Sequence, residues 1–351
     1  LILFVFILLS KGALALYENG KGVYSDNVYM ENLETGKVVL DIASREKVYP
    51  ASLTKILTCI MAIEHASSLD EKYEIPGGIF DDIYAQGGAN ISLDEGELIS
   101  ISDLIHATLI RSACDSATAL ACYVSGSVED FAAEMNKKAA EIGAVNTHFT
   151  NAHGLHDNNH YTTAYDLALI AKYALQNATF CDIIAKYSHT IPATNLSGER
   201  YLESTMELEI PTSPSYYPHV TGIKSGFTDE AGRCLITKAE KNGESYLLFT
   251  LGANRDRYYN SNMAYTDAAN LHEYMFAQYD VTSIINAGEI LKYVPVENGN
   301  TESVGITVSE SVKVLSAISD AKAVTFDIKD FEKFDGTTIT YLENGKVVNK
   351  R

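Results

Sequence analysis

Ser52-Leu53-Thr54-Lys55 sets a hydroxyl and an amine three residues apart. On a helix that interval puts both side chains on one face, so the amine can reach the hydroxyl. A buried lysine with a depressed pKa can take the proton and leave the serine nucleophilic. At a helix N-terminus, backbone N–H groups also favour developing negative charge. The same spelling recurs at Ser44-Arg45-Glu46-Lys47 and at Ser319-Asp320-Ala321-Lys322. Only the Ser52 copy follows a proline, Pro50, and opens a run with apolar residues at helical spacing: Leu53, Ile56, Leu57, Ile60 and Met61. A nucleophile needs such a rigid mount. Taken by themselves, the four residues read equally well as an N-cap serine with a surface lysine.

Two later segments supply further groups. In Leu109-Ile110-Arg111-Ser112-Ala113-Cys114-Asp115-Ser116-Ala117, Ser112 sits between two apolar helical stretches. In Val220-Thr221-Gly222-Ile223-Lys224-Ser225-Gly226-Phe227, a Lys-Ser-Gly lies on a strand-like run.

The elements that must position these residues can be read from periodicity. Val28-Tyr29-Met30 and Lys37-Val38-Val39-Leu40, split by Glu34-Thr35-Gly36, predict a hairpin. From Ser102 to about Leu175 the pattern is mostly helical and alanine-rich, with Asp103 and Tyr165-Asp166 marking starts. Cys234 to Ala239 and Ser245 to Leu251 flank Lys241-Asn242-Gly243, a strong hairpin signal. Ser261 to Phe276 returns to helix. Beyond Tyr279, short β-type runs follow (304–308, 312–315, 323–328 and 338–341). The layout predicts an α/β (α+β) fold: an antiparallel sheet flanked by helices, with a helical subdomain and a small C-terminal β domain. The expected boundaries are 1–15, 16–280 and 281–351.

Composition narrows the function. The 351 residues carry Asp+Glu 46 against Lys+Arg 27, a net charge of −19. That field repels phosphate backbones and anionic lipid, so nucleic-acid binding is excluded as a reading and an anionic ligand needs a locally positive pocket. Leu1 to Leu9 is apolar, too short to span a bilayer but suited to the core of a signal peptide, and Ala13-Leu14-Ala15 supplies a cleavage site. The reading is an exported protein with a truncated signal peptide, working in the cell wall or at the outer face of the cytoplasmic membrane. The alternative for that stretch is a buried N-terminal strand. No membrane anchor is visible in the sequence, which ends Val347-Val348-Asn349-Lys350-Arg351. Cys59, Cys114, Cys122, Cys181 and Cys234 show no CxxC spacing, so neither a zinc knuckle nor a disulfide framework is indicated. His153, His156, Asp157 and His160 are metal-ligand types, but no His-Glu-x-x-His helix accompanies them. They read as a hydrogen-bonded loop, and no metal or cofactor is expected.

Ser-x-x-Lys, then Ser112, then Lys-Ser-Gly, in that order, resembles the active-site set of penicillin-binding proteins and class A β-lactamases. The resemblance is tighter to the D-alanyl-D-alanine carboxypeptidases, the low-molecular-mass penicillin-binding proteins of serine peptidase family S11. It is carried by Pro50 to Lys55, Gly96-Glu97-Leu98, Asn151-Ala152-His153-Gly154-Leu155, His160-Tyr161-Thr162-Thr163-Ala164 and Gly222 to Thr228 with Ala231-Gly232. Two positions depart from that family's usual pattern: Cys114 stands where Asn is usual, and Ser225 where Thr is usual.

The resemblance implies acyl transfer on peptidoglycan stem peptides ending in D-Ala-D-Ala, with β-lactams as inhibitors. Ser52 would attack the penultimate carbonyl, Lys55 would act as base, and Ser112 would relay the proton to the leaving amine. The N–H groups of Ser52 and Phe227 would form the oxyanion hole. Lys224 and Ser225 would face the terminal carboxylate, Gly226 would let substrate backbone lie close, and Cys114 would stand in the substrate-orienting position. Arg255 or Arg257 is a further candidate for the carboxylate. Two alternatives remain: a β-lactamase-like hydrolase, although no Glu-x-x-Leu-Asn string is present, and a cell-wall scaffold with a drifted site.

Overall fold

The computed structural model describes residues 22–253, 263–295, 302–318, 331–334, 339–343 and 346–350. The signal-peptide reading, Arg255, Arg257, the Ser319 copy of Ser-x-x-Lys and the strand expected over 323–328 fall outside them.

Strands β1 (Asn27–Asn32) and β2 (Lys37–Ile42) form the N-terminal hairpin. Helix α1 (Lys55–His65) follows, then β3 (Lys72–Glu74), α2 (Asp81–Ala85) and β4 (Leu98–Ser100). The helical stretch is α3 (Ile101–Ile110), α4 (Cys114–Ser125), α5 (Val128–Ile142), α6 (Ala164–Ala174) and α7 (Ala178–Ile184). A small hairpin, β5 (Ser188–Ile191) with β6 (Arg200–Glu203), precedes the long strands β7 (Val220–Thr228), β8 (Gly232–Lys241) and β9 (Glu244–Ala253), and α8 (Met263–Gln278) comes next. The main sheet runs β2-β1-β9-β8-β7, antiparallel throughout.

The central strand β9 explains why its sequence does not alternate. Every residue from Glu244 to Ala253 is buried, because both faces of the sheet are covered. On one face Tyr29 meets Phe249 and Tyr165 of α6 edge-on, and Lys172 of α6 pairs with Glu31 at 2.8 Å. On the other, Thr237 of β8 bonds His272 of α8 at 2.8 Å. Successive strand residues point to opposite faces. In this register Lys224, opposite Ile236, faces the helical subdomain, while Ser225, opposite Leu235, faces the α8 side.

Helix starts follow local chemistry. Ser100, Ser127 and Thr163 each accept a hydrogen bond from the backbone N–H three residues on, capping α3, α5 and α6. Gly126 and Gly143 end α4 and α5 in the left-handed conformation. One expected helix start differs: residues Ala51–Thr54 form a 3-10 turn, and α-helix begins only at Lys55. Ala51 has φ +48°, a left-handed value that regular helix does not admit.

The chain divides into two units between Tyr274 and Met275. In the second, β10 (Tyr279–Ile285) pairs with β13 (Val312–Ala317), and β11 (Ile290–Pro295) with β12 (Ser303–Thr307). Strands β14 (Phe331–Phe334), β15 (Ile339–Glu343) and β16 (Lys346–Lys350) make a further antiparallel sheet. Among the described residues no helix is long and apolar enough to cross a membrane.

Candidate active site

Lys55, the first residue of α1, is fully buried, and its Nζ lies 2.8 Å from Ser52 Oγ. Two further groups hold the amine: the His153 carbonyl at 2.5 Å and Cys114 Sγ at 3.4 Å. Nζ donates to all three groups, which holds it fixed within reach of the Ser52 hydroxyl. Ser52 itself is partly exposed, as a nucleophile must be.

The turn that presents Ser52 is wedged between two glycines. A Cβ on Gly226 would lie 3.0 Å from the Ser52 backbone nitrogen, so β7 runs directly against the Ser52 turn. On the other side a Cβ on Gly154 would overlap the Ala51 carbonyl. Gly154 belongs to the Asn151–Leu155 loop, fastened to α1 by Thr58 donating to the Ala152 carbonyl at 2.7 Å. Thr54 donates to the Ala51 carbonyl at 2.8 Å and lies 2.8 Å from His160 Nε2. Because His160 Nδ1 accepts from the Thr150 N–H, the proton sits on Nε2 and is donated to Thr54. Burial pushes the pKa of His160 down to about 3 and keeps the ring neutral. His153 is likewise lowered to about 3, by burial first and then by Lys55.

Ser112 links α3 to α4 with φ +62°, an uncommon conformation for a residue with a side chain. It is buried, and its hydroxyl has no hydrogen-bond partner among the described residues. Cys114, at the start of α4, is tied to the preceding loop by its N–H donating to the Ala89 carbonyl at 2.6 Å. Asp115 fixes that loop further by accepting from the N–H groups of Ile91 and Leu93. A Cβ on Gly88 would sit 3.3 Å from Cys114 Sγ, so the thiol is closely covered.

Lys224 is fully buried, and its one hydrogen bond among the described residues is to the Ser225 carbonyl at 3.0 Å. Burial, then repulsion from Lys55, lowers its pKa to about 7; Cys114, Cys59 and Glu209 oppose the shift. Ser225 Oγ is 2.8 Å from Thr205 Oγ1. Thr205 in turn accepts from Tyr265 through its carbonyl. Phe227 is 47% exposed, with the Arg233 guanidinium 5.3 Å from its ring centroid.

Thus the structure brings together Ser52, Lys55 and Cys114, and sets Gly226 against the Ser52 turn. The second Ser-x-x-Lys does not close. Lys47 lies over the Tyr161 ring at 3.7 Å, and Ser44 Oγ is buried with no hydrogen-bond partner among the described residues. Sequence reading missed the His153 carbonyl, Thr205 and Glu209. The first is a backbone group, and the other two carry no motif.

A serine and lysine paired on a helix start, with a second lysine on the strand alongside, define a serine acyl-transfer enzyme on the penicillin-binding-protein fold. The family model for D-alanyl-D-alanine carboxypeptidases (peptidase S11) matches residues 20–255. Among curated relatives, the D-alanyl-D-alanine carboxypeptidase DacF of Bacillus subtilis is 30% identical over 283 residues, covering 81% of this chain and 70% of that one. The chain therefore belongs to the D-alanyl-D-alanine carboxypeptidase family, and is a serine carboxypeptidase of the penicillin-binding-protein type. The crystal structure of the Streptomyces strain K15 DD-transpeptidase superposes with TM-score 0.66 at 25% identity, over 73% of this chain and 98% of that one. Solved variants of that enzyme replace by alanine a serine and a cysteine two positions apart, the interval between Ser112 and Cys114. A Streptococcus pneumoniae structure described as a peptidoglycan synthesis regulatory factor (PBP3) shares the fold with TM-score 0.76 at 23% identity, over 92% and 93% of the two chains.

Proposed function

We propose that Ser52 is the nucleophile with which the protein removes the terminal D-alanine from peptidoglycan stem peptides ending in D-Ala-D-Ala. The carrying observation is the Lys55 amine, buried, 2.8 Å from Ser52 Oγ, with its other bonds taken by His153 and Cys114. Lys55 takes the serine proton as Ser52 adds to the penultimate carbonyl. The Ser52 and Phe227 N–H groups receive the oxyanion. Ser112, whose hydroxyl is uncommitted, passes the proton to the departing D-alanine amine. Water then opens the ester with Lys55 again as base. Lys224 supplies the positive charge for the chain-end carboxylate, and Ser225, next along the edge strand β7, a hydroxyl. Cys114 orients substrate through Lys55 and a weak S–H donor rather than an amide.

We read the catalytic domain as residues 16–280 and the small β-rich domain as 281–351, a boundary six residues beyond the division between Tyr274 and Met275. The substrate places the protein outside the cytoplasm, and β-lactams acylate the same serine. Intact-mass spectrometry after incubation with benzylpenicillin tests the reading. A persistent adduct in wild type that is absent from Ser52→Ala supports it. No adduct with the drug untouched promotes the scaffold, and no adduct with the drug consumed means a β-lactamase.

A further inference from the structure

Ser225 carries a hydroxyl with no second branch at its Cβ, where the family's usual threonine has a methyl as well. That methyl restricts χ1, and without it the hydroxyl is free to choose among the staggered positions. In this chain a neighbour makes the choice. Ser225 is buried, and its Oγ lies 2.8 Å from Thr205 Oγ1 and 3.2 Å from the Thr205 carbonyl. The Ser225 proton goes to the carbonyl, so the proton between the two hydroxyls is that of Thr205. Thr205 is itself held at each end. Its N–H donates to the carbonyl of Ile110, the last residue of α3, at 3.1 Å. Its carbonyl also accepts from Tyr265 of α8 at 3.1 Å. The flanking amides are tied as well, Ser204 N–H to the Tyr187 carbonyl at 2.7 Å and Met206 N–H to Ser204 Oγ at 3.0 Å. Thr205, Ser225 and Lys224 line one small cavity, and Thr205 lies outside every motif that carries the family resemblance.

We propose that Thr205 is a positioning residue for Ser225: its hydroxyl fixes the Ser225 hydroxyl in the rotamer from which it donates to the chain-end carboxylate of the substrate. A hydrogen bond thus does here what a γ-methyl does by crowding. This rests on the carboxypeptidase reading. When the carboxylate arrives, Ser225 Oγ stays in place and only its proton turns, from the Thr205 carbonyl to the anion. The carbonyl keeps its bond from Tyr265, so no buried acceptor is left unpaired. The Thr205 hydroxyl goes on donating to Ser225 Oγ. A hydroxyl that accepts one bond donates the next more strongly, so the chain from Thr205 through Ser225 to the carboxylate is reinforced along its length.

The test compares Thr205→Val, which keeps the shape and loses the hydroxyl, with Thr205→Ser, which keeps the hydroxyl. For an N-acyl-D-Ala-D-Ala peptide, Thr205→Val should raise KM about tenfold and leave kcat within about twofold, while Thr205→Ser stays near wild type. In a Ser225→Thr background, where the methyl fixes the rotamer, the same Thr205→Val change should raise KM by no more than about threefold. A KM unmoved in folded Thr205→Val overturns the proposal. So does an equal rise in both backgrounds, which assigns Thr205 to the support of Ile110 rather than of Ser225. Wild type that releases no D-alanine overturns the carboxypeptidase reading instead, and crystal structures then decide the role of Thr205 without activity. Ser225 should hold one rotamer in wild type and spread over several in Thr205→Val; a single unchanged rotamer in that variant overturns the proposal.

Discussion

Two stretches, Ser44 to Lys47 and Ser52 to Lys55, share a spelling and part of a backbone. The alanine before each serine, Ala43 and Ala51, has φ +48°. Their lysines part company. Lys55 enters the core and finds a hydroxyl, a carbonyl and a sulfur, whereas Lys47 settles on the face of Tyr161. The strained alanine is therefore a way of turning the chain, and it does not by itself make a reactive serine. What sets Lys55 apart is the loop and the helix start that close over it from positions 98 and 59 residues further along the chain.

Substituting the paired positions gives the largest contrast. Ser52→Ala and Lys55→Met should each lower the benzylpenicillin acylation rate by a factor of about 10⁴ or more, as loss of a nucleophile or its base does. Ser44→Ala and Lys47→Met should leave that rate within about twofold, and stopped-flow or mass-resolved acylation reads both pairs. Glycine geometry gives the next contrast. Gly154→Ala should cost about 3 kcal/mol or more in chemical denaturation, because backbone occupies the new methyl's place. Gly36→Ala, at φ +65° with nothing within 4 Å, should cost about 1 kcal/mol from the left-handed backbone alone.

Proton linkage acts at the loop against Ser52 as it does elsewhere in the fold, where burial lowers His272 to about 3 and His106 to about 4. His153 and His160 are neutral in the folded protein, with pKa values lowered to about 3 by burial. The unfolded chain takes up their protons near pH 6.5, so it binds more protons below that point. Stability should thus fall as pH drops from 6.5 towards 3, by up to about 1.4 kcal/mol per unit for each ring. His160→Gln should flatten that slope in urea titrations at pH 4 to 6, and a slope unchanged by the substitution would show the ring to be protonated already. The smallest effect belongs to the shared backbone. Ala43→Gly and Ala51→Gly should each raise stability by about 0.5 kcal/mol, the relief of left-handed strain net of added chain entropy. Only Ala51→Gly should also slow acylation.

Much of this site is legible in the sequence where residue type and period coincide. Pro50 and the spacing of Leu53, Ile56, Leu57, Ile60 and Met61 single out the copy whose lysine enters the core, and Asn242-Gly243 marks the hairpin beside the Lys224 strand. The first turn of the expected helix is 3-10, with Ala51 left-handed and its carbonyl packed on Gly154, a residue more than a hundred positions away. No local window contains that information. The His153 carbonyl is likewise invisible, since every residue type has one. Thr205 and Glu209 sit in Ser204-Thr205-Met206-Glu207-Leu208-Glu209, where two acidic residues suggest a solvated turn. One of them, Glu209, is half-buried, with its Oε1 sealed from solvent by tertiary packing.

The missing side chain of Gly154 has a mechanical consequence. With backbone pressed on backbone, the Ala51–Lys55 turn and the Asn151–Leu155 loop cannot open separately, so their amides should exchange hydrogen with solvent as one cooperative unit. An acyl group seated on Ser52 should then slow exchange across both segments, including amides the drug never touches.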